Sequence, residues 1–185
     1  MASTDSLKDA ADRILAARAA DGDVAAFEVL VFRHGPLMRV YAVKVLGSNA
    51  EADDVLQDVF IQAWEQLERL ADPAAVRPWL MRMVSNRAIE RIRKRKDTVD
   101  IDDWDAPTPS DQSPEQIVET RMQMSTLSSV LDGLPDSQRQ CWMLKELGGL
   151  SYSEIADLLK VPLPTVRGQL ARARRTVIQE MEAWR

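Results

Sequence analysis

The sequence contains one cysteine, Cys141, and one histidine, His34. A disulfide within the chain is excluded, and the usual structural zinc site of Cys and His ligands cannot be assembled. The two could in principle make a nucleophile pair, but each continues an apolar helical pattern. His34 follows the spacing of Phe27, Leu30 and Val31, and Cys141 leads into Trp142, Met143 and Leu144. Packing is the expectation for both. There is no glycine-rich phosphate loop and no Ser-His-Asp arrangement, so no catalytic residue, cofactor or metal is expected and the chain reads as a non-enzyme. No apolar run is long enough to span a bilayer, and Met1–Asp12 lacks a signal-peptide core. A soluble, cytoplasmic protein without membrane insertion is the expectation. Glycine and proline are sparse, strand-type alternation is scarce, and Ala, Leu, Glu, Arg and Met are plentiful, which points to an all-α fold. The 185 residues leave room for one medium domain or two small ones.

The net charge of −5 taken alone argues against a nucleic-acid partner, but the charge is segregated. Residues 73–96 hold eight Lys and Arg against Glu90 alone, a local charge of +7. Residues 97–119 hold eight Asp and Glu and no base, and residues 160–175 hold five bases and no acid. Affinity for nucleic acid follows the local basic patch. Five cations fall within Arg91–Lys96. Like charges at i, i+4 weaken a helix unless something outside it compensates them, so a plain solvated face is the weaker reading there.

Asp23, following Gly22, reads as an N-cap. The helix it opens has apolar positions at Phe27, Leu30, Val31, His34, Leu37 and Tyr41, and Gly35-Pro36 is expected to kink or split it. Gly47-Ser48-Asn49 breaks the chain. An amphipathic helix is predicted over 51–70, with Val55, Leu56, Val59, Phe60, Ala63, Trp64, Leu67 and Leu70 inward. Its outer face carries Asp54, Gln57, Asp58, Gln62, Glu65 and Glu68. After a loop at Ala71-Asp72-Pro73, a helix over 76–96 has the ladder Leu80, Met83, Val84, Ala88 and Ile92. Residues 1–96 thus form one helical bundle. Residues 97–113 are acidic, contain Pro107 and Pro109, and read as a flexible linker. A second helical domain, 114–185, opens on the capping box Ser113-Pro114-Glu115-Gln116, with a first helix ending near Gly133. Further helices are predicted over 137–147, 151–160 and 164–181.

The last two make a helix-turn-helix. Ser151 caps a helix bearing Ile155, Ala156 and Leu159, and the next helix packs through Val166, Leu170, Ala173 and Val177. Pro164, Gly168, Ala171, Arg172 and Arg175 point away from that stripe. Small residues with interspersed arginines suit a helix entering a major groove, where Arg reaches guanine edges or phosphates. The basic helix over 76–96 suits single-stranded nucleic acid: Trp79 could stack an unpaired base, and its arginines could hold phosphates. For Trp79 a place in the core is the plainer reading, as it is for Trp64 and Trp142.

A resemblance covers residues 20–180. Asp53-Asp54-Val55-Leu56-Gln57-Asp58-Val59-Phe60-Ile61-Gln62-Ala63-Trp64 is similar to the region 2 helix of bacterial sigma factors. Trp79-Leu80-Met81-Arg82-Met83-Val84-Ser85-Asn86-Arg87-Ala88-Ile89 is similar to the neighbouring promoter-reading helix. Leu150-Ser151-Tyr152-Ser153-Glu154-Ile155-Ala156, with Thr165-Val166-Arg167 and Arg172-Ala173-Arg174, resembles the region 4 helix-turn-helix. Their order around an acidic linker in a short chain resembles the extracytoplasmic-function group. The resemblance implies a non-catalytic factor that binds RNA polymerase core, at the β′ clamp coiled coil and the β flap, and melts promoter DNA. It implies that Asp53, Asp54, Gln57 and Asp58 dock on the clamp. The loop Leu70–Arg77, Trp79, Asn86 and Arg87 would meet the melted −10 strand, with Arg91, Arg93 and Arg95 on phosphates. Arg167, Gly168, Ala171, Arg172 and Arg175 would lie at the −35 element. The linker would run toward the RNA exit path.

The chain departs from the family where Leu70-Ala71 replaces a frequent aromatic–basic pair, which bears on the flipped-base pocket. Gly168 and Ala171 stand where longer side chains are common, which bears on the −35 sequence. Ending at Arg185, the chain is expected to rely on a partner, an anti-sigma factor, or on synthesis and degradation for control. Two rival readings remain. An autonomous helix-turn-helix regulator leaves the helices of 51–96 without a task. A decoy that only binds an anti-sigma factor would not need the arginines at 87–96 and 167–175.

Overall fold

Helix is the only regular structure among the described residues of the computed structural model, which are 7–98 and 127–182. They fall into two compact units, one ending at Pro107 and the other beginning at Thr108. The capping box at Ser113 and nearly all of the expected linker lie outside the described residues. Asp97 and Thr98, counted above as linker, continue the preceding helix.

The described residues of the first unit form the α-helices α1 (Asp12–Ala20), α2 (Val24–Leu46), α3 (Asn49–Gln66) and α4 (Val76–Thr98). The caps explain the boundaries. Asp23 accepts from the Ala26 N–H at 3.2 Å and starts α2. Gly47 ends α2 at φ 70°, a left-handed conformation suited to glycine. Ser48 accepts from the Glu51 N–H at 3.3 Å, so α3 starts two residues before the expected position. Two short 3₁₀ turns, Leu67–Arg69 and Pro73–Ala75, replace the predicted last helical turn and loop; Asp72 caps the second through the Ala74 N–H. The central α2 packs against α1, α3 and α4. Leu15, Leu30, Met38, Tyr41, Val55, Val59, Ala63, Leu80, Met81 and Val84 are buried between them. Burial of such side chains is the main stabilising term for a bundle of this kind.

Of the kink or split expected at Gly35-Pro36, the split does not occur: α2 runs unbroken through Pro36. Pro36 faces solvent, where water can satisfy a carbonyl that lacks its N–H partner. Buried Leu30, His34, Met38 and Tyr41 meanwhile anchor the helix on both sides of the proline. Gly35 is buried beside α3, where a Cβ would make an ordinary 3.5 Å contact with the Phe60 ring.

In the second unit residues 127–132 are helical and the helix stops at Gly133, as expected. Then come α5 (Asp136–Trp142), a π turn (Met143–Leu147), α6 (Tyr152–Leu159) and α7 (Leu163–Glu182). Cys141, Trp142, Met143, Leu144, Leu150, Ile155, Val166, Leu170 and Ala173 form the core. Packing is thus the role of Cys141 and Trp142. Burial pushes the Cys141 thiol up to about 11. On α6 the inward position beside Ile155 is Leu158, 8% exposed, while Ala156 and Leu159 are half-buried. The i, i+3 pair is what a two-turn helix can turn toward α7.

Candidate functional site

The outer face of α3 divides in two. Gln57 and Asp58 are exposed. Asp53 is clasped by Arg39 of α2, with Nε donating at 2.7 Å and Nη2 at 3.3 Å, which holds its carboxyl below the usual range. Asp54 faces Arg91 of α4 at 3.6 Å. Ile61 is 54% exposed on the same face, one turn beyond Gln57 and Asp58; its position in the period was available in the sequence but its apolar character disguised it. Trp64 is not a core residue. It is exposed and packs at the rim against Phe27, ring centroids 5.2 Å apart, because its neighbour Ala63 already fills the inward position.

The basic helix α4 is partly neutralised by acids of the same unit, two of them on α3. Arg91 meets Asp54, and Lys94 meets Glu90 at 3.1 Å. Arg95 turns back to Glu51 and donates to the Leu46 carbonyl at 3.0 Å. Arg95 therefore ties the end of α4 to the α2–α3 corner and is not presented outward. Arg87 is half-buried and 3.5 Å from Glu90. Asn86 and Arg93 are exposed, and Trp79 is half-buried. Arg82, which the sequence reading passed over, is exposed and shares the stripe Trp79, Arg82, Asn86, Arg93 at spacings of three, four and seven. The side chain of Lys96 lies outside the described residues.

His34 is buried and paired: Nε2 lies 2.9 Å from Asp12 Oδ2. Arg33 joins the same carboxylate and donates to the Ala10 carbonyl at 3.0 Å and the Lys8 carbonyl at 2.8 Å. This cluster fastens residues 8–12 to α2. Burial pulls the His34 pKa down, and the Asp12 charge opposes the shift.

In the second unit Ser151 makes a full capping box with Glu154: the Glu154 N–H donates to Ser151 Oγ at 3.2 Å, and the Ser151 N–H to Glu154 Oε2 at 2.8 Å. The turn bends at Lys160, in the left-handed region at φ 55°. On α7, Val166, Leu170 and Ala173 are buried, while Pro164, Arg167, Ala171, Arg172 and Arg175 are exposed. Gly168 is half-buried, and a Cβ there would lie 3.6 Å from the Arg172 guanidinium. That is an ordinary contact, and the Arg172 guanidinium lies over Gly168. Of the residues expected to point away from the packing stripe, Pro164, Ala171, Arg172 and Arg175 are exposed and Gly168 is half-buried.

Two family models match the chain, Sigma-70 region 2 over residues 30–98 and Sigma-70 region 4 over residues 125–177. The RNA polymerase sigma factor CnrH of Cupriavidus metallidurans is 32% identical, over 89% of this chain and 91% of its own length. The RNA polymerase sigma factor NccH of Alcaligenes xylosoxydans is 34% identical over 88% and 90%. The solved structure of CnrH in complex with the cytosolic domain of CnrY aligns at a TM-score of 0.58 with 30% identity, covering 94% of this chain and 99% of that one. The chain belongs to the extracytoplasmic-function sigma factors of the sigma-70 family, and its function is that of a sigma factor, which gives RNA polymerase its promoter specificity. Among the described residues no helix is long and apolar enough to cross a membrane.

Proposed function

We propose that the first unit docks on polymerase core and engages the −10 element, and that the second engages the −35 element, the two acting as separate domains joined by the acidic linker. The observation that carries this reading is the division of α7 into a buried stripe, Val166, Leu170 and Ala173, and an exposed basic side with Arg167, Arg172 and Arg175. That side would lie in the −35 major groove, Gly168 and Ala171 keeping the backbone close to the duplex. Asp58 and Gln57, with Asp53 and Asp54 beside them, would meet basic groups of the β′ clamp coiled coil; the second unit would meet the β flap. The loop Leu70–Arg77 with Trp79, Asn86 and Arg87 would receive the melted strand, and Arg91 and Arg93 its phosphates. Arg95, engaged with Glu51 and the Leu46 carbonyl, contributes by holding α4 in position. The protein acts in the cytoplasm, without catalytic residues of its own. CnrH is solved bound to the cytosolic domain of CnrY; by that likeness an anti-sigma factor is the proposed controlling partner.

Asp58→Arg tests the docking face. Core affinity is expected to fall with helicity unchanged, whereas wild-type affinity would remove α3 from the docking surface. Asn86→Ala tests the −10 assignment: permanganate-detected melting is expected to drop while closed complexes form normally, and wild-type melting would withdraw that residue.

A further inference from the structure

Arg174 lies one heptad beyond Arg167, at the edge of the exposed side of α7, and by spacing alone would be taken for another DNA contact. Its guanidinium is turned elsewhere. Nε and Nη2 both donate to Glu146 Oε1, at 2.8 and 2.5 Å, and Nη1 donates to the Tyr152 hydroxyl at 3.4 Å. Glu146 belongs to the π turn and Tyr152 is the first residue of α6. A single side chain of the recognition helix therefore grips both elements that support it. A second cation stiffens the same corner: Lys145 Nζ lies 5.2 Å from the centroid of the Tyr152 ring and donates to the Leu150 carbonyl at 3.0 Å. The π turn, a wider turn that shifts the register of the side chains after it, carries both Lys145 and Glu146.

The apolar stripe of α7 is narrow, and Val166, Leu170 and Ala173 are modest in size. Such a stripe sets how closely α7 packs but restrains rotation about its own axis weakly. A planar, multiply bonded guanidinium at one edge restrains that rotation directly. We propose that Arg174 is a positioning residue for promoter recognition: held by Glu146 and Tyr152, it fixes the rotation of α7 that turns Arg167 and Arg172 toward the duplex. This inference rests on the −35 reading given above.

The test uses the full chain assembled with core polymerase, binding a duplex that carries the −35 element, over a range of salt concentrations. Arg174→Ala, Glu146→Ala and the double variant are compared with Arg167→Ala and Arg172→Ala. Each single clamp variant is expected to weaken binding about threefold to tenfold, with the double variant no worse than either, since both break one interaction. The salt slope should be the same in Arg174→Ala as in Glu146→Ala, since neither removes a DNA contact of its own. A slope flattened by about one unit in Arg174→Ala, with Glu146→Ala unchanged or tighter, would make Arg174 a phosphate contact and overturn the proposal. So would a lower unfolding temperature with full affinity in the folded fraction, which marks support of the fold alone. If Arg167→Ala and Arg172→Ala both leave affinity untouched, the −35 reading fails and the proposal with it. If those two weaken binding and only the clamp variants behave as wild type, the proposal alone fails.

Discussion

Gly148 closes the π turn that carries Glu146, and its replacement by alanine should be costly for a steric reason. Its φ is −81°, so it needs no left-handed freedom. What it needs is space. A Cβ there would lie 2.6 Å from the Leu144 carbonyl oxygen and 3.0 Å from Leu150 Cδ1. The oxygen is backbone and cannot rotate away, so the turn itself must move. Overpacking of this kind costs about 1–3 kcal/mol. The stiffer unfolded chain of an alanine variant returns about 0.4–1 kcal/mol. A net loss of about 1–2 kcal/mol in the second unit follows. Gly35→Ala is the control with opposite sign, because its Cβ would make only an ordinary 3.5 Å contact with Phe60. Alanine is favoured over glycine inside a helix by about 0.8–1 kcal/mol, so the first unit should gain. Amide hydrogen exchange reads the opening free energy of each unit separately. Wild-type protection of α5 and α7 in Gly148→Ala, or lost protection of α2 in Gly35→Ala, would refute the steric reasoning.

Burial lowers the His34 pKa below its ordinary 6.5, so the unfolded first unit binds the proton more readily; its stability should be complete above about pH 6.5 and decline below it. His34→Gln should flatten that decline in denaturant titrations, and an unchanged pH dependence would contradict the assignment. Cys141, buried and with its thiol pushed up to about 11, should resist thiol reagents at pH 7.5 until the second unit unfolds; rapid labelling of the native protein would count against this packing. Arg95→Met should destabilise the first unit by about 1 kcal/mol through its lost bonds to Glu51 and Leu46. Arg93→Met should leave stability alone and reduce the salt dependence of promoter binding.

Periodicity and capping made much of this fold legible. Asp23, Gly47-Ser48 and Ser151 mark boundaries because cap chemistry is local, and the ladders of α4 and α7 follow from helical spacing. Pro36 misled because its position on the solvent side of α2 is a tertiary fact. The helix α1 carried no expectation, its sequence DRILAARAA having little contrast between faces. Charge was the least legible property. The basic residues of α4 can be counted in the sequence, but Glu51 and Asp54, which neutralise two of them, are some forty residues away. Arg167 and Arg174 look equivalent in spacing, and only the partner Glu146, 28 residues distant, separates them.

Run-off transcription with core polymerase and this chain over a promoter library tests the central claim most directly. Defined start sites should appear only when the chain is present. Asp58→Arg should reduce all of them together, and Arg172→Ala should change which −35 sequences are used. The absence of chain-dependent transcripts, together with tight sequence-specific binding to duplex DNA without polymerase, would contradict the account.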